Sequence, residues 1–182
     1  VEIEGDLIAA LRDLMSIPRR GPRQWLYTVL ARLWSLRLET WYQTRTRARR
    51  NVRFHYDHPA AFYRQFLDQR LVYSCAYFER SGMTLDQAQT AKLDHICRKL
   101  DLRPGERFLD VGCGFGALVA HAAEVYGAES TGCTLSRGQF ETAGALLRER
   151  GLEGRASVEF LDYRDLRGRF AKIASVGMFE HV

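Results

Sequence analysis

The sequence predicts an α/β fold: a parallel β-sheet with helices packed on it, preceded by a basic, helical N-terminal region. Three observations predict it. From Thr84 onward, short apolar strand-like runs alternate with helix-length segments, the pattern of right-handed strand–helix–strand crossovers. Glycines recur directly after the first of those strands, at Gly112, Gly114 and Gly116, where a parallel sheet makes its first strand-to-helix turn. A hydrophobic content of 46% over 182 residues is ample for a buried core.

In chain order, residues 6–15, DLIAALRDLM, have helical spacing, and Pro18, Gly21 and Pro22 break it. A second helix is expected from Trp25 to Tyr42, where Leu26, Val29, Leu30, Leu33 and Trp34 recur every three or four residues. The aromatic-rich FHYDHPAAFYRQFLD (54–68) should be partly helical after Pro59, and LVYSCAYF (71–78) reads as strand or loop. TLDQ is a capping box with Thr84 as N-cap and Gln87 three residues on, opening a helix to about Leu100. Pro104 and Gly105 then turn the chain into strand RFLDVG, the glycine loop, and a helix to about Tyr126. Strand ESTGCTL, a helix from about Ser136 to Arg150, the turn GLEGR, strand SVEFLD and strand KIASVGMF follow. Ligands of such sheets bind beyond the carboxyl ends of the strands. The glycine loop, CTLS, LDYR and MFEH all fall at those ends.

Composition narrows the function classes. No window holds the roughly 18 apolar residues of a membrane span. The opening VEIEGDL is acidic rather than a basic-then-apolar leader, and its first residue, Val1, suggests a fragment or a processed chain. Cys75, Cys97, Cys113 and Cys133 form no CxxC pair, which argues against a zinc knuckle or redox motif; no metal is expected, and a reducing cytoplasm is the simplest compartment. His55 and His58 lack a ligand cluster around them and read as packing or capping residues. Charge is uneven. Residues 1–100 carry 17 Lys and Arg against 10 Asp and Glu, whereas residues 101–182 carry 10 against 12. Arg32 and Arg37 interleave with the second helix, and Arg45, Arg47, Arg49, Arg50 and Arg53 follow it. Such a basic-aromatic stretch could lie peripherally on an anionic membrane, at the inner face for a cytoplasmic protein, or it could be a domain helix with a solvated face. No recognised nucleic-acid module accompanies the arginines, so no nucleic acid is expected as a partner.

The stretch LDVGCGFGALV (109–119) is not a P-loop, because no GK[ST] follows. Gly112, Gly114 and Ala117 satisfy the loose dinucleotide form GxGxxA. That form wants an acid about 20 residues on for the ribose. Gly132, Cys133 and Thr134 stand there instead, and Glu129 lies too early. The loop therefore leans away from NAD.

LDVGCGFG instead resembles motif I of the S-adenosylmethionine-dependent methyltransferases. FHYDxxxxFYxxFLD, YSCAYF, TLDQAQTAKLDHICRKLDLRPGERFLDVGCGFG, GCTLSRGQ and GMFEH occur in the order, and close to the spacing, of the cyclopropane-fatty-acid synthase family. That family includes the mycolic acid cyclopropane synthases. The resemblance covers about residues 51–182. It implies a Rossmann-like class I methyltransferase fold, truncated here after about the fourth strand. Residues 1–50 would be the end of an auxiliary domain, 51–100 a helical cover over cofactor and substrate, and 101–182 an incomplete cofactor-binding domain. It further implies that Tyr73 and Ser74 close over S-adenosylmethionine, and that Asp110, Gly112, Gly114 and Gly116 hold its methionyl end. Thr134, Leu135 and Gln139 would lie on the ribose side, an amide replacing the missing acid, with Asp162 and Tyr163 flanking the adenine. A bound bicarbonate ion would serve as base, oriented by Glu180 and touched by the backbone amides of Cys75 and Val176. Cys75 is then a positioning residue rather than a nucleophile, and His181 has no assigned role.

The implied reaction is methyl or methylene transfer to the double bond of an unsaturated acyl chain, expected to be that of a membrane phospholipid, giving a cyclopropane or methyl-branched lipid. Attack by the π bond leaves a carbocation, and loss of a proton from the new methyl closes a cyclopropane ring; a hydride shift, reduction or capture by water are the alternatives. Such a site needs a base, a dry apolar channel and no stray nucleophile. The chain ends at Val182, before the remaining strands and the acyl channel of complete family members, so an exposed sheet edge and inactivity of the chain alone are expected. A similar methyltransferase acting on small amines, and an inactive fragment or regulatory partner of an intact synthase, are the other readings. Product type, double-bond position, head group and oligomeric state, a homodimer included, are left open.

Overall fold

A computed structural model describes residues 59–178. The two expected N-terminal helices, His55, His58, the arginines up to Arg53, and Glu180 with His181 lie outside the described residues. The elements are α1 (Ala60–Tyr63), α2 (Leu85–Lys99), β1 (Arg107–Val111), α3 (Ala117–Tyr126), β2 (Glu129–Thr134), α4 (Arg137–Glu149), β3 (Ala156–Phe160), a 3₁₀ turn (Tyr163–Asp165) and β4 (Lys172–Ala174).

Local chemistry starts the long helices where the sequence predicts. The Thr84 hydroxyl accepts from the Gln87 amide at 3.3 Å, and the Gln87 side chain accepts from the Thr84 amide at 3.0 Å. This reciprocal pair satisfies two donors that a helix start leaves without intrahelical partners. Asp86 in the first turn and Arg98 and Lys99 in the last complement the helix dipole of α2. Ser136 caps α4 by accepting from the Gln139 amide at 3.3 Å.

The four strands are all parallel, in the order β3-β2-β1-β4. β1 is central, with Asp110 aligned to Gly132 of β2 on one side and to Ala174 of β4 on the other. Successive strands step outward from β1 to β3, and β4 then returns to the other side of β1. That reversal opens a crevice beyond the carboxyl ends of β1 and β4.

α3 explains the tight packing beside the crevice. Every residue from Ala117 to Ala123 is buried, and small side chains let the helix lie close to the sheet. One core joins α2, α3 and β1 through Leu93, Cys97, Phe108, Leu118 and Ala122. A second joins α3 to α4 and β3 through Val119, Ala123, Leu147 and Ala156. Gly132 is required by the same closeness. A Cβ there would stand 2.7 Å from Cys113 and 2.8 Å from Val119.

Two segments differ from the sequence expectation or resolve it. β4 ends at Ala174, although KIASVGMF reads as a longer strand. After Ala174 the Ser175 hydroxyl donates to the Val111 carbonyl at 3.2 Å, and Gly177 turns the chain at φ 79°. Residues 71–78 are irregular rather than strand. Leu71 has φ 56°, which an extended strand does not permit. Among the described residues, no helix is long and apolar enough to cross a membrane.

Candidate functional site

The three loop glycines are needed for two different reasons. Gly112 has φ 78°, and a Cβ on it would lie 2.9 Å from the Met178 side chain, which follows β4. Gly116 has φ 84° and is the N-cap of α3; its Cβ would lie 2.9 Å from Cβ of Ala143 on α4. Gly114 has φ 55° but nothing within 4 Å of the Cβ position. Gly112 and Gly116 thus allow close protein packing, whereas Gly114 leaves open space. The amides of Gly112 and Cys113 both donate to the Cys133 carbonyl at 3.0 Å, folding the loop over the end of β2. The N-terminus of α3 follows directly, with the positive end of its dipole suited to an anionic ligand group.

Asp110 ends β1 at 3% exposure. Burial pushes its carboxyl up to about 7, an effect partly offset by Lys92. At the end of β2, Thr134 and Gln139 are buried and paired: the Thr134 hydroxyl donates to Gln139 Oε1 at 2.8 Å and accepts from the Ser136 amide at 3.1 Å. Leu135 between them is half-buried. After β3, Asp162 is fully buried and holds the 3₁₀ turn. Its Oδ1 accepts from the backbone amide and Nε of Arg164 at 3.1 and 2.8 Å, and its Oδ2 from Arg164 Nη2 at 2.6 Å. Tyr163 is partly exposed, with the Arg164 guanidinium 5.7 Å from its ring centroid.

The segment 71–75 lies across this end of the sheet. Tyr73 is exposed but packs edge-on against Tyr63 at 5.5 Å, and Tyr63 in turn meets Phe115 of the glycine loop at 5.2 Å. Ser74 faces the end of β4, where a Cβ on Gly177 would lie 3.9 Å from Ser74 Cβ. Cys75, next in the chain, is an exposed thiol, and Val176 precedes Gly177. The structure therefore brings Tyr73, Ser74, Cys75 and Val176 to the same end of the sheet as Asp110 and the glycine loop. Thr134, Leu135, Gln139, Asp162 and Tyr163 follow the ends of β2 and β3.

Three residues that sequence reasoning missed hold the cover in place. Asp68 accepts from the Val72 amide at 2.7 Å and from the Arg70 amide at 3.2 Å. Gln89 Nε2 donates to the Val72 and Ser74 carbonyls at 3.3 and 2.8 Å. Lys92 Nζ donates to Ser74 Oγ at 2.8 Å. Together they over-determine a segment that contains the left-handed Leu71, a conformation costing on the order of 1–3 kcal/mol that persists only where surroundings impose it. A signal was present: Gln89 and Lys92 share a helix face with the apolar Ala88, Leu93 and Cys97, and polar groups on a core face want partners.

A parallel β3-β2-β1-β4 sheet with a glycine turn after its first strand defines a Rossmann-like fold, and its likeness to solved methyltransferases makes it the class I methyltransferase form of that fold. A family model described as mycolic acid cyclopropane synthetase matches residues 43–182, and the chain belongs to that family. It is 50% identical over 133 residues to a probable fatty acid methyltransferase of Pseudomonas putida, covering 72% of this chain and 34% of that protein. It is 44% identical over 128 residues to the cyclopropane-fatty-acyl-phospholipid synthase of Escherichia coli, covering 70% and 32%. Among solved structures, mycolic acid cyclopropane synthase CmaA1 complexed with SAH and CTAB aligns with a TM-score of 0.70 at 42% identity, covering 73% of this chain and 47% of that one. Coclaurine N-methyltransferase bound to N-methylheliamine and SAH aligns at 0.64 and 31% identity, covering 68% and 36%. The chain thus spans from 32% to 47% of the length of these relatives.

Proposed function

We propose that this protein is an S-adenosylmethionine-dependent enzyme that transfers a methyl or methylene group to the double bond of unsaturated fatty acyl chains of membrane phospholipid. The observation that carries the proposal is the meeting of the cover segment, the glycine loop and the end of β4 at one crevice. The residues suit the cofactor. Gly114 leaves the room a ligand backbone would fill, and Asp110 offers a carboxylate to the ammonium of the methionyl end. Gln139, its oxygen engaged by Thr134, brings an amide whose N–H groups suit a ribose hydroxyl. When bound, S-adenosylmethionine supplies an electrophilic methyl, because transfer neutralises its sulfonium.

The chain's own residues have defined tasks in this reading. Tyr73, backed by the buried Tyr63 and Phe115, presents an aromatic face that would keep water from a cationic acyl chain. The backbone amides of Cys75 and Val176, with Glu180 as the orienting carboxylate, would hold a bicarbonate ion, which would supply the base the reaction needs. The basic stretch around Arg45, Arg47, Arg49 and Arg50 serves peripheral binding to an anionic membrane surface. A second reading, methyl transfer to a small amine, is favoured by the likeness to coclaurine N-methyltransferase.

The natural full-length protein is to be incubated with S-adenosylmethionine and vesicles of unsaturated, anionic phospholipid, and the acyl chains analysed by mass spectrometry. The proposal expects acyl products heavier by one CH₂. Glu180→Gln should leave affinity for S-adenosylhomocysteine within about twofold and slow product formation by up to about 10²–10⁴-fold, the usual weight of the general-base step it would orient. Unchanged acyl chains alongside methylation of an amine panel would overturn the acyl reading and support the second one.

A further inference from the structure

Lys92 is the unexpected group at this site. It lies on α2 at 9% exposure, one helical turn from Gln89 at 3%, so both side chains leave the same face. Gln89 holds the cover by its carbonyls, and Lys92 holds it by the Ser74 hydroxyl at 2.8 Å. A lysine is rarely so buried unless paired. Burial lowers its pKa, and the carboxylates of Asp110 near the end of β1 and Asp68 ahead of the cover oppose that effect.

We propose, building on the cofactor reading above, that Lys92 is a positioning residue of the crevice: its single ammonium ties the cover to α2 through Ser74 and supplies the counter-charge for Asp110. The two tasks meet at the methionyl end of the ligand. A lifted cover would admit water beside Asp110, and a protonated Asp110 would offer no charge to the ligand's ammonium. Lys92 is the group that opposes the effect of burial on Asp110. The thiols coupled to Asp110 come from three other positions, Cys97 on α2, Cys113 in the glycine loop and Cys133 on β2. Burial pushes each upward, Cys97 to about 12, so they stay neutral through the neutral range.

The test is calorimetric titration of S-adenosylhomocysteine into the natural full-length protein, as wild type, Lys92→Met, Ser74→Ala and the double variant, across a range of pH. Wild-type affinity should rise with pH through about 7 as Asp110 ionises. Lys92→Met should weaken binding at neutral pH about ten- to a hundredfold, the usual scale for losing a charged hydrogen bond. It should also displace the pH midpoint upward by about one unit, since the opposing charge is gone. Ser74→Ala should weaken binding less and leave the midpoint where it is. The double variant should bind about as Lys92→Met does, because the Ser74 contact requires both partners. An unmoved midpoint in Lys92→Met, or losses that simply add in the double variant, would overturn the proposal. If Lys92→Met does not fold, Ser74→Ala decides: wild-type affinity overturns the tie, and weaker binding with an unmoved midpoint supports it. Wild-type protein that fails to bind S-adenosylhomocysteine at all would overturn the cofactor reading and this proposal together.

Discussion

Gly114 and Gly116 are two residues apart, yet replacing each with alanine should damage different properties. Gly116 has φ 84°, and a Cβ there would stand 2.9 Å from Ala143 Cβ. A left-handed non-glycine residue costs roughly 1–2 kcal/mol. Forcing a methyl inside the optimal carbon separation of about 3.5–4.0 Å adds about 1–3 kcal/mol of overpacking. Gly116→Ala should therefore lose about 2–5 kcal/mol, a large part of the ~5–15 kcal/mol that holds a typical domain together. Gly114 has φ 55° and open space at the Cβ position, so Gly114→Ala carries the conformational cost alone, roughly 1–2 kcal/mol. That methyl would stand in the crevice, and affinity for S-adenosylhomocysteine should fall at least about tenfold, as expected where backbone must approach a ligand closely. Urea unfolding followed by circular dichroism measures the first quantity, and calorimetry the second. Equal destabilisation by the two substitutions, or undiminished affinity in Gly114→Ala, would refute the division of roles.

Two further outcomes follow from local geometry. The folded-state pKa of Asp110 is raised to about 7, above its unfolded value, so the native state binds more protons and stability falls as pH climbs from about 4 to 7; Asp110→Asn should raise the urea midpoint at pH ~8, bring little gain at pH ~4, and weaken S-adenosylhomocysteine binding. Thr84→Ala removes one half of the α2 capping box and should cost about 1 kcal/mol in the same unfolding assay, the usual weight of an N-cap hydroxyl.

The order of strands and helices could be read from the sequence because its signals are local. The Thr84–Gln87 cap, the Pro104-Gly105 turn and the glycines after β1 each act within a few residues. Strand length is another matter. KIASVGMF is a mostly apolar run, and its Ser175 and Gly177 do not by themselves say where pairing stops; β4 pairs only opposite Phe108–Asp110 before these two residues redirect it. The aromatic run at 71–78 was ambiguous for a related reason. Its backbone carbonyls at Val72 and Ser74 accept from a side chain of α2 rather than from another strand, and no local pattern announces that.

The site was legible where one residue type has one use, and obscure where burial decides the use. Glycine at 112, 114 and 116 announces a turn, but only the positions of Met178, Ala143 and empty space separate packing from ligand approach. Asp162 illustrates the opposite limit. Its match to an adenine-flanking position names a neighbourhood, while its carboxylate holds the 3₁₀ turn through Arg164. Any part it plays toward a ligand therefore runs through the shape of that turn and the Tyr163 ring it carries. Lys92 follows the same logic from the other side. On a helical wheel it is one more charge on an amphipathic helix, and only the fold reveals that its ammonium is buried against Ser74, with Asp110 electrostatically coupled to it. In the proposed reading the glycine loop receives the ligand, and the polar face of α2 fixes the segment 71–75 beside it.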